Sequence, residues 1–532
     1  MNNNRTRFQR IPFFSSILII VAFEQEYPVP FFSSASKLNI FQLDLDVFGE
    51  NDKSIYLDIY IQSSREKREE SISPLVICLK KKSFLVTLVA LAFLAGAISI
   101  PVARADSVPD AGMELVQYFI DMFENDWSIG SYYDMSADGY GYAQSTSIPG
   151  SPAFTPYKRD PLDVQASMNL TPIQSPSTSE DGIIDLISRA NETLYIEQMY
   201  IYETLNDLLL EIIDAKDRGV DVRVIQDDGT YDHNDASATI LEAHGIPVRR
   251  LVEQPSSGAP FDMLHNKGVI VDGELVLVSS INWSPTSLRN NRETGVIIES
   301  SSVAAYYEDL FTYDWARAVD FVPTGSRADP VPESSHYFSP TTYSGYTNVT
   351  CLAAPDNCFD VINSLLLGAH ESILISTYTL SSSFLLDTIG QKVGDGLDVR
   401  LMLEKSPVST DEQNYNRWSM ANLTAIGVMK PSGTYYYANG KWASSTFDYQ
   451  HCKYAIIDGE TLIISSGNWA QSSCPKPQAD GDVDGNRDWW FVVKGAMIDV
   501  EETPGMDPVL LMLALTTSAI ASSLYVHKKL KW

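Results

Sequence analysis

The sequence predicts an α/β protein made of two related lobes, each a mixed sheet flanked by helices. Three observations lead there. Helix-like and strand-like stretches alternate along residues 166–500, the pattern of layered α/β folds. The same succession occurs twice, once near Asp181 and again near Asp360. With 44% hydrophobic and 20% charged residues in 532, most of the chain can bury a core.

Residues 1–79 read as an extension that is disordered or lies ahead of the true start, because an export signal opens a chain and here one follows. That signal is 80–105. Lys80, Lys81 and Lys82 precede the uncharged run 83–102, which ends in Ala103-Arg104-Ala105. A positive start, an apolar middle and a small-x-small exit predict cleavage after Ala105. The run is also long enough for an uncleaved anchor. Residues 106–165, with many Tyr, Ser, Gly and Pro, show no period and form an N-terminal extension without assigned structure.

The first repeat spans 166–322. Ile184 and Ile187 stand at helical spacing, a β-rich run covers 194–196, and a helix covers 205–216. Gly219 ends that helix and a strand begins at Val220. A hairpin follows from Leu264, turning at Asp272-Gly273 and ending in Asn282-Trp283. After a Pro-, Ser- and Thr-rich linker, 323–347, the second repeat (348–500) runs through the same steps. These are Ile362 and Leu366, a strand at 373–375, a helix at 384–392, Gly396, a strand from Leu397, then a hairpin turning at Asp458-Gly459 and ending in Asn468-Trp469. The offset between copies grows from 177 residues at the glycines to 186 at the hairpins, as loop insertions require. Last, the uncharged stretch 509–526 precedes His527, Lys528, Lys529 and Lys531. It predicts a transmembrane helix over 508–527, with a buried core helix as the competing reading. Both lysine clusters would lie in the cytoplasm, which places 106–506 on the extracytoplasmic side of the cell membrane.

Charge narrows the partners. Residues 106–506 hold 57 acidic and 23 basic residues, net −34. Such a surface repels polyanions at long range and excludes a broad basic face for nucleic acid. It leaves room for local capture of one phosphate. Four cysteines lie in the exported part: Cys351, Cys358, Cys452 and Cys474. An even count outside the cytoplasm predicts two disulfides, and nearest-neighbour pairing gives Cys351–Cys358 and Cys452–Cys474. Metal binding by the four competes, but no Cys-x-x-Cys pair supports it. Sequons at Asn169, Asn191, Asn348 and Asn422 offer glycan sites.

The chemistry sits in the repeat. His265 and Lys267, and again His451 and Lys453, are two apart on a predicted strand, so each pair shares a face. Seventeen residues after each His comes an Asn, Asn282 or Asn468, with Ser280 or Ser466 two before it. Two such sets in a chain with 7 His are not explained by packing. Two Lys and two Asn can hold the non-bridging oxygens of a phosphodiester and stabilise charge added in the transition state. One imidazole can attack phosphorus while the other protonates the leaving oxygen. Glu293 and Asp488 can each hold an imidazole in the right tautomer. Lysines supply the positive charge, so no metal or other cofactor is expected.

His-x-Lys-x4-Asp followed by Ser-Ser-x-Asn resembles the doubled motif of the phospholipase D superfamily over roughly 165–500. It is seen at His265, Lys267 and Asp272 with Ser280 and Asn282, and at His451, Lys453 and Asp458 with Ser466 and Asn468. A Ser replaces the Gly that usually opens the second element in both copies. The later acid lies 28 residues after His265 but 37 after His451. The resemblance implies one site shared between the lobes and a covalent phosphohistidine, with His265 as nucleophile and His451 as general acid. Asp272 and Asp458 are expected to hold the hairpin turns.

Trp283 and Trp469 either line the site or pack under it, and Glu197 and Gln198 are candidates to face the cleft. Asp227, Asp228 and Asp232, and Asp480, Asp482 and Asp484, read as solvated loops rather than calcium ligands. A phospholipid is the favoured substrate, met by a protein tethered to the membrane through its C-terminal helix. Cleavage of nucleic acid and phosphatidyl transfer, as in cardiolipin synthesis, are the alternatives. No obligate protein partner is evident. Substrate choice is expected in the loops 229–262 and 405–450.

Overall fold

The computed structural model of the protein divides into two compact units, residues 1–107 and 108–532. It describes residues 110–144, 159–229, 232–251, 262–333, 335–477 and 485–495, together with four strands ahead of them. Those strands, β1 (Ile17–Ala22), β2 (Leu38–Val47), β3 (Ser54–Ser63) and β4 (Leu75–Lys80), form an antiparallel meander in a stretch to which the sequence assigned no element. The apolar segments expected as an export signal and a C-terminal anchor lie outside the described residues, apart from Lys80. No helix among the described residues is long and apolar enough to cross a membrane.

The second unit opens with helix α1 (Ala111–Ile129) and strand β5 (Ser131–Tyr132). Lobe 1 runs β6 (Leu162–Ser175), α2 (Ser179–Ser188), β7 (Thr193–Gln198), α3 (Asn206–Asp217), β8 (Asp221–Asp227), α4 (Asp232–Ala243) and β9 (Val248–Leu251). It continues with β10 (Lys267–Val271), β11 (Leu275–Ser279), α5 (Pro285–Arg289), β12 (Glu293–Glu299), α6 (Ser301–Trp315) and β13 (Val319–Asp320). Lobe 2 runs β14 (Tyr343–Ala354), α7 (Cys358–Gly368), β15 (Ser372–Thr377), α8 (Ser383–Asp395), β16 (Asp398–Leu403) and α9 (Thr410–Met420). A small hairpin, β17 (Val428–Met429) with β18 (Tyr435–Tyr436), precedes β19 (Asn439–Trp442), β20 (Lys453–Ile457), β21 (Thr461–Ser465) and β22 (Asp488–Lys494).

The local signals in the sequence do what their chemistry dictates. Gly219 and Gly396 stop their helices at φ of 97° and 89°, where a side chain would be strained. The turns Asp272-Gly273 and Asp458-Gly459 have positive φ at both positions, within three-residue connections that pair Val271 with Leu275 and Ile457 with Thr461.

The lobes do not have separate sheets. One 16-stranded sheet runs β13-β9-β8-β7-β10-β11-β12-β6-β14-β22-β21-β20-β15-β16-β19-β5. Read outward from the β6–β14 seam, both halves have the same order. β7–β8–β9 and β15–β16–β19 are parallel and the remaining pairs antiparallel. Long seam strands pair from Tyr343 opposite Leu170 to Cys351 opposite Leu162, so neither lobe is left with an open edge there.

Alternation along the strands sends side chains to two faces. On β10, Val269 and Val271 join the lobe 1 outer core, while Ile270 joins a central core shared by both lobes. On β20, Ala455 and Ile457 face the lobe 2 outer core, while Tyr454 and Ile456 face the central one. Two helices cover the central face. α6 packs on lobe 1, and α1, although it precedes lobe 1 in sequence, packs chiefly on β14, β20, β21 and β22 of lobe 2 and also on the seam strand β6. Its buried face is Leu115, Val116, Phe119, Met122 and Phe123. Residues 110–144 are therefore part of the fold of lobe 2, not an appendage.

Two further expectations are corrected. The four cysteines are buried free thiols. Cys351 and Cys452 face the central core, whereas Cys358 and Cys474 face the lobe 2 outer core. Both nearest-neighbour bridges would have to pass through the sheet. The linker is also shorter than expected, because β14 begins at Tyr343. Before it, His336 is tied to lobe 1 by Asp181 at 2.6 Å and Asp207 at 2.9 Å.

Candidate active site

The site lies where β10, β12, β20 and β22 begin. Each imidazole sits two residues ahead of a strand, and the backbone there crosses the seam. The His265 amide donates to the Arg487 carbonyl at 3.0 Å, and the His451 amide donates to the Arg292 carbonyl at 2.9 Å. Side chains cross as well. His265 Nδ1 meets Asp488 Oδ1 at 2.9 Å, and His451 Nδ1 meets Glu293 Oε2 at 2.9 Å. Each imidazole is thus held by the acid of the other lobe. With Nδ1 turned to a carboxylate, Nε2 is the nitrogen available for chemistry. The insertion ahead of Asp488 does not displace it, since it opens β22 as Glu293 opens β12.

Neighbours orient both acids. Glu293 accepts from Ser280 Oγ at 2.6 Å, Ser287 Oγ at 2.8 Å and Asn291 Nδ2 at 3.2 Å. Asp488 accepts from Ser466 Oγ at 2.7 Å. At Gly467 an added Cβ would sit 2.7 Å from Asp488 Oδ2, so only glycine leaves room for that carboxylate. Lys267 Nζ donates to the His265 carbonyl and lies 3.9 Å from Met199 Sδ. Lys453 Nζ donates to the His451 carbonyl at 2.5 Å and lies 3.1 Å from His451 Nδ1. Tyr378 stands edge-on to His451, with centroids 4.8 Å apart. Asn282 Oδ1 and Asn468 Oδ1 are buried without a hydrogen-bond partner among the described residues.

Burial and like charge set the protonation. Burial, then Lys453, outweigh Glu293 and push His451 down to about 4. Burial and Lys267 also lower His265, against the pull of Asp488. Lys453 acts on His265 and Lys267 on His451, so the four groups share one field. Burial lowers Lys267 to about 7 and Lys453 to about 8. Burial alone would raise the two acids, but the imidazoles, the lysines and the serine hydroxyls hold Glu293 and Asp488 below their ordinary values. At neutral pH the site therefore holds neutral imidazoles and anionic acids with partly charged lysines beside them.

The remaining candidates have structural places. Asp272 accepts the amides of Asn191, Glu192 and Thr193, and Asp458 those of His370, Glu371 and Ser372, each pinning the start of the neighbouring strand. Trp283 and Trp469 are fully buried in the outer cores, under the site and not lining it. Glu197 is buried beside Asn266, and Gln198, directly opposite Lys267, donates to the Ile281 carbonyl just ahead of Asn282. Asp227, expected in a solvated loop, is instead fully buried at the end of β8, and Asp480, Asp482 and Asp484 lie outside the described residues. No group of three or more His, Cys, Asp or Glu that could hold a metal occurs among the described residues.

One repeated element escaped the sequence reading. Asn234 and Asn416 accept the Ile201 and Leu380 amides at 2.9 and 3.1 Å and donate to the Met199 and Tyr378 carbonyls, both at 2.8 Å. Ser237 and Ser419 donate to the Ile201 and Leu380 carbonyls. Asn-x-x-Ser thus clasps the same loop in each lobe. Its spacing was visible in both copies, but polar residues on a helix attract no attention until their burial is known.

Residues 183–315 and 362–496 each match the family model described as cardiolipin synthase, PLD-like domain. The chain belongs to the phospholipase D superfamily. Phospholipase D Y of Dictyostelium discoideum is 28% identical over 179 residues, covering 30% of this chain and 38% of the relative. Among mitochondrial cardiolipin hydrolases, that of Xenopus tropicalis is 32% identical over 110 residues, covering 20% and 49%. The chain spans less than half the length of either superfamily relative. Among solved structures, phosphatidylserine synthase of Haemophilus influenzae aligns over 67% of this chain and 94% of its own, at 13% identity and a TM-score of 0.41.

Proposed function

We propose that the chain is a phosphodiesterase that hydrolyses a phospholipid through a phosphohistidine intermediate, exported and held at the extracytoplasmic face of a membrane. The observation that carries the chemistry is the crossed pairing of His265 with Asp488 and His451 with Glu293. His265 Nε2 attacks phosphorus and forms a P–N bond. The P–O bond to the leaving alcohol breaks, and protonated His451 gives its proton to that oxygen. Water then attacks the phosphohistidine while His451 takes a proton back, the P–N bond breaks, and His265 is restored. Lys267, Lys453, Asn282 and Asn468 hold the non-bridging oxygens. The negative charge of a bound phosphodiester favours the protonated form of His451, the form a general acid needs. The names of the relatives, phospholipase D and cardiolipin hydrolase, support a lipid substrate. The strongly acidic 106–506 disfavours a polynucleotide. Lysine-flanked apolar segments support export and anchoring.

The test offers the full chain phosphatidylcholine or cardiolipin vesicles, and single-stranded DNA in parallel, with EDTA present. Phosphatidate release is expected, and cut DNA without it would make the protein a nuclease. His265→Asn and His451→Asn are each expected to abolish turnover. Full activity in either variant would sink the two-imidazole mechanism.

A further inference from the structure

We propose that Asp227 and Glu404 are positioning residues for the reaction, each fixing the backbone that carries its own lobe's imidazole to the seam. The inference rests on the phosphodiesterase reading above. Asp227 closes β8 and Glu404 directly follows β16. The two positions are equivalent, since each follows the residue paired with the end of the neighbouring strand, Gln226 opposite Gln198 and Leu403 opposite Thr377.

Both carboxylates do the same thing. Asp227 Oδ1 accepts the Leu264 amide at 3.0 Å and Oδ2 accepts the Gly229 amide at 2.9 Å. Glu404 Oε2 accepts the Gln450 amide at 2.8 Å and Oε1 accepts the Ser406 amide at 2.8 Å. Leu264 and Gln450 immediately precede His265 and His451. Two consecutive amides are therefore tied on each side, the first to a carboxylate of its own lobe and the second to a carbonyl of the other lobe. Together they set where each histidine Cα sits between the lobes, and so whether its ring reaches the acid across the seam.

Burial argues against an incidental contact. Asp227 is fully buried and Glu404 is 8% exposed. A carboxylate in such a place costs desolvation unless its oxygens are bonded. The side chains differ by one methylene, yet both reach the amide before the histidine and the amide two residues after themselves. Packing shape alone does not require that agreement.

The experiment compares the full chain with Asp227→Ala, Asp227→Asn, Glu404→Ala and Glu404→Gln on bis(p-nitrophenyl) phosphate, with rates normalised to the folded fraction. The Ala variants are expected to lose about ten- to a hundredfold in kcat, with KM within about twofold, the cost of a misplaced reacting group. Asn and Gln keep one acceptor oxygen for the amide before the histidine and should recover most of the rate. A second readout needs no turnover. With the ring less firmly against its acid, NMR titration should place His265 in Asp227→Ala, and His451 in Glu404→Ala, below the parent's values. A purely structural role would lower stability and leave kcat per folded molecule and the imidazole titration unchanged, and that result overturns the proposal. If the parent does not cleave the probe, the phosphodiesterase reading is what fails, and the NMR comparison still decides the positioning role.

Discussion

An imidazole set between a buried carboxylate and a lysine is pulled both ways, and at His451 burial and Lys453 win. The folded state therefore binds fewer protons there than the unfolded chain between the ordinary value of 6.5 and about 4. The contribution of this group is complete above the higher value and is lost as pH falls toward the lower. Calorimetry should show stability declining across that window, and His451→Asn should flatten the decline. The carboxylates carry a separate test. Asp488→Asn cannot accept from His265 as the acid does, and the wrong tautomer follows. Turnover should fall by roughly a thousandfold or more while circular dichroism stays that of the parent.

At the scale of elements, the segment between the lobes is tuned by pH through His336. His336 offers both ring nitrogens to carboxylates, so the imidazolium is the form that satisfies Asp181 and Asp207 together. Burial opposes that charge, but the two acids outweigh it and raise the group above 6.5. The strap's contribution is fully present below 6.5 and is lost as pH rises through the folded value. His336→Gln should lower Tm by roughly 2–4 °C at pH 5.5 and by less at pH 8.5. Helix α1 shows what was missed at this scale. Leu115, Phe119, Met122 and Phe123 line its buried face at helical spacing, in a stretch to which the sequence assigned no period. Nothing local says that it covers the more distant lobe.

At the scale of the molecule, buried arginines lock the seam. Arg487, just ahead of Asp488, is bonded to Asp314 at the end of α6 at 2.8 and 3.1 Å, with both side chains fully buried. Arg292, just ahead of Glu293, meets Asp126 of α1 at 2.7 Å. Each helix thereby ties the lobe it covers to the backbone of the opposite lobe's acid. Asp314→Ala should cost about 1.5–3 kcal/mol in denaturant unfolding, because it removes one of two buried carboxylates on Arg487 and leaves Asp356 as the other. Asp221→Ala, which removes the exposed partner of Arg223, should cost at most about 1 kcal/mol.

The duplicated His-x-Lys pairs, the Ser and Asn that follow, the Asp-Gly turns and, in each repeat, one succession of helix, strand, helix, strand and hairpin were determined by the sequence itself. Each is a matter of short covalent spacing and local periodicity, which a chain carries whatever surrounds it. The tertiary structure alone decided which acid serves which imidazole, across separations of 223 and 158 residues. It also decided that two lobes share one sheet, that an N-terminal helix completes the second lobe, and that neighbouring cysteines face opposite cores. These outcomes depend on strand order and on which faces meet at the seam, and no stretch of sequence shorter than the whole repeat contains that information.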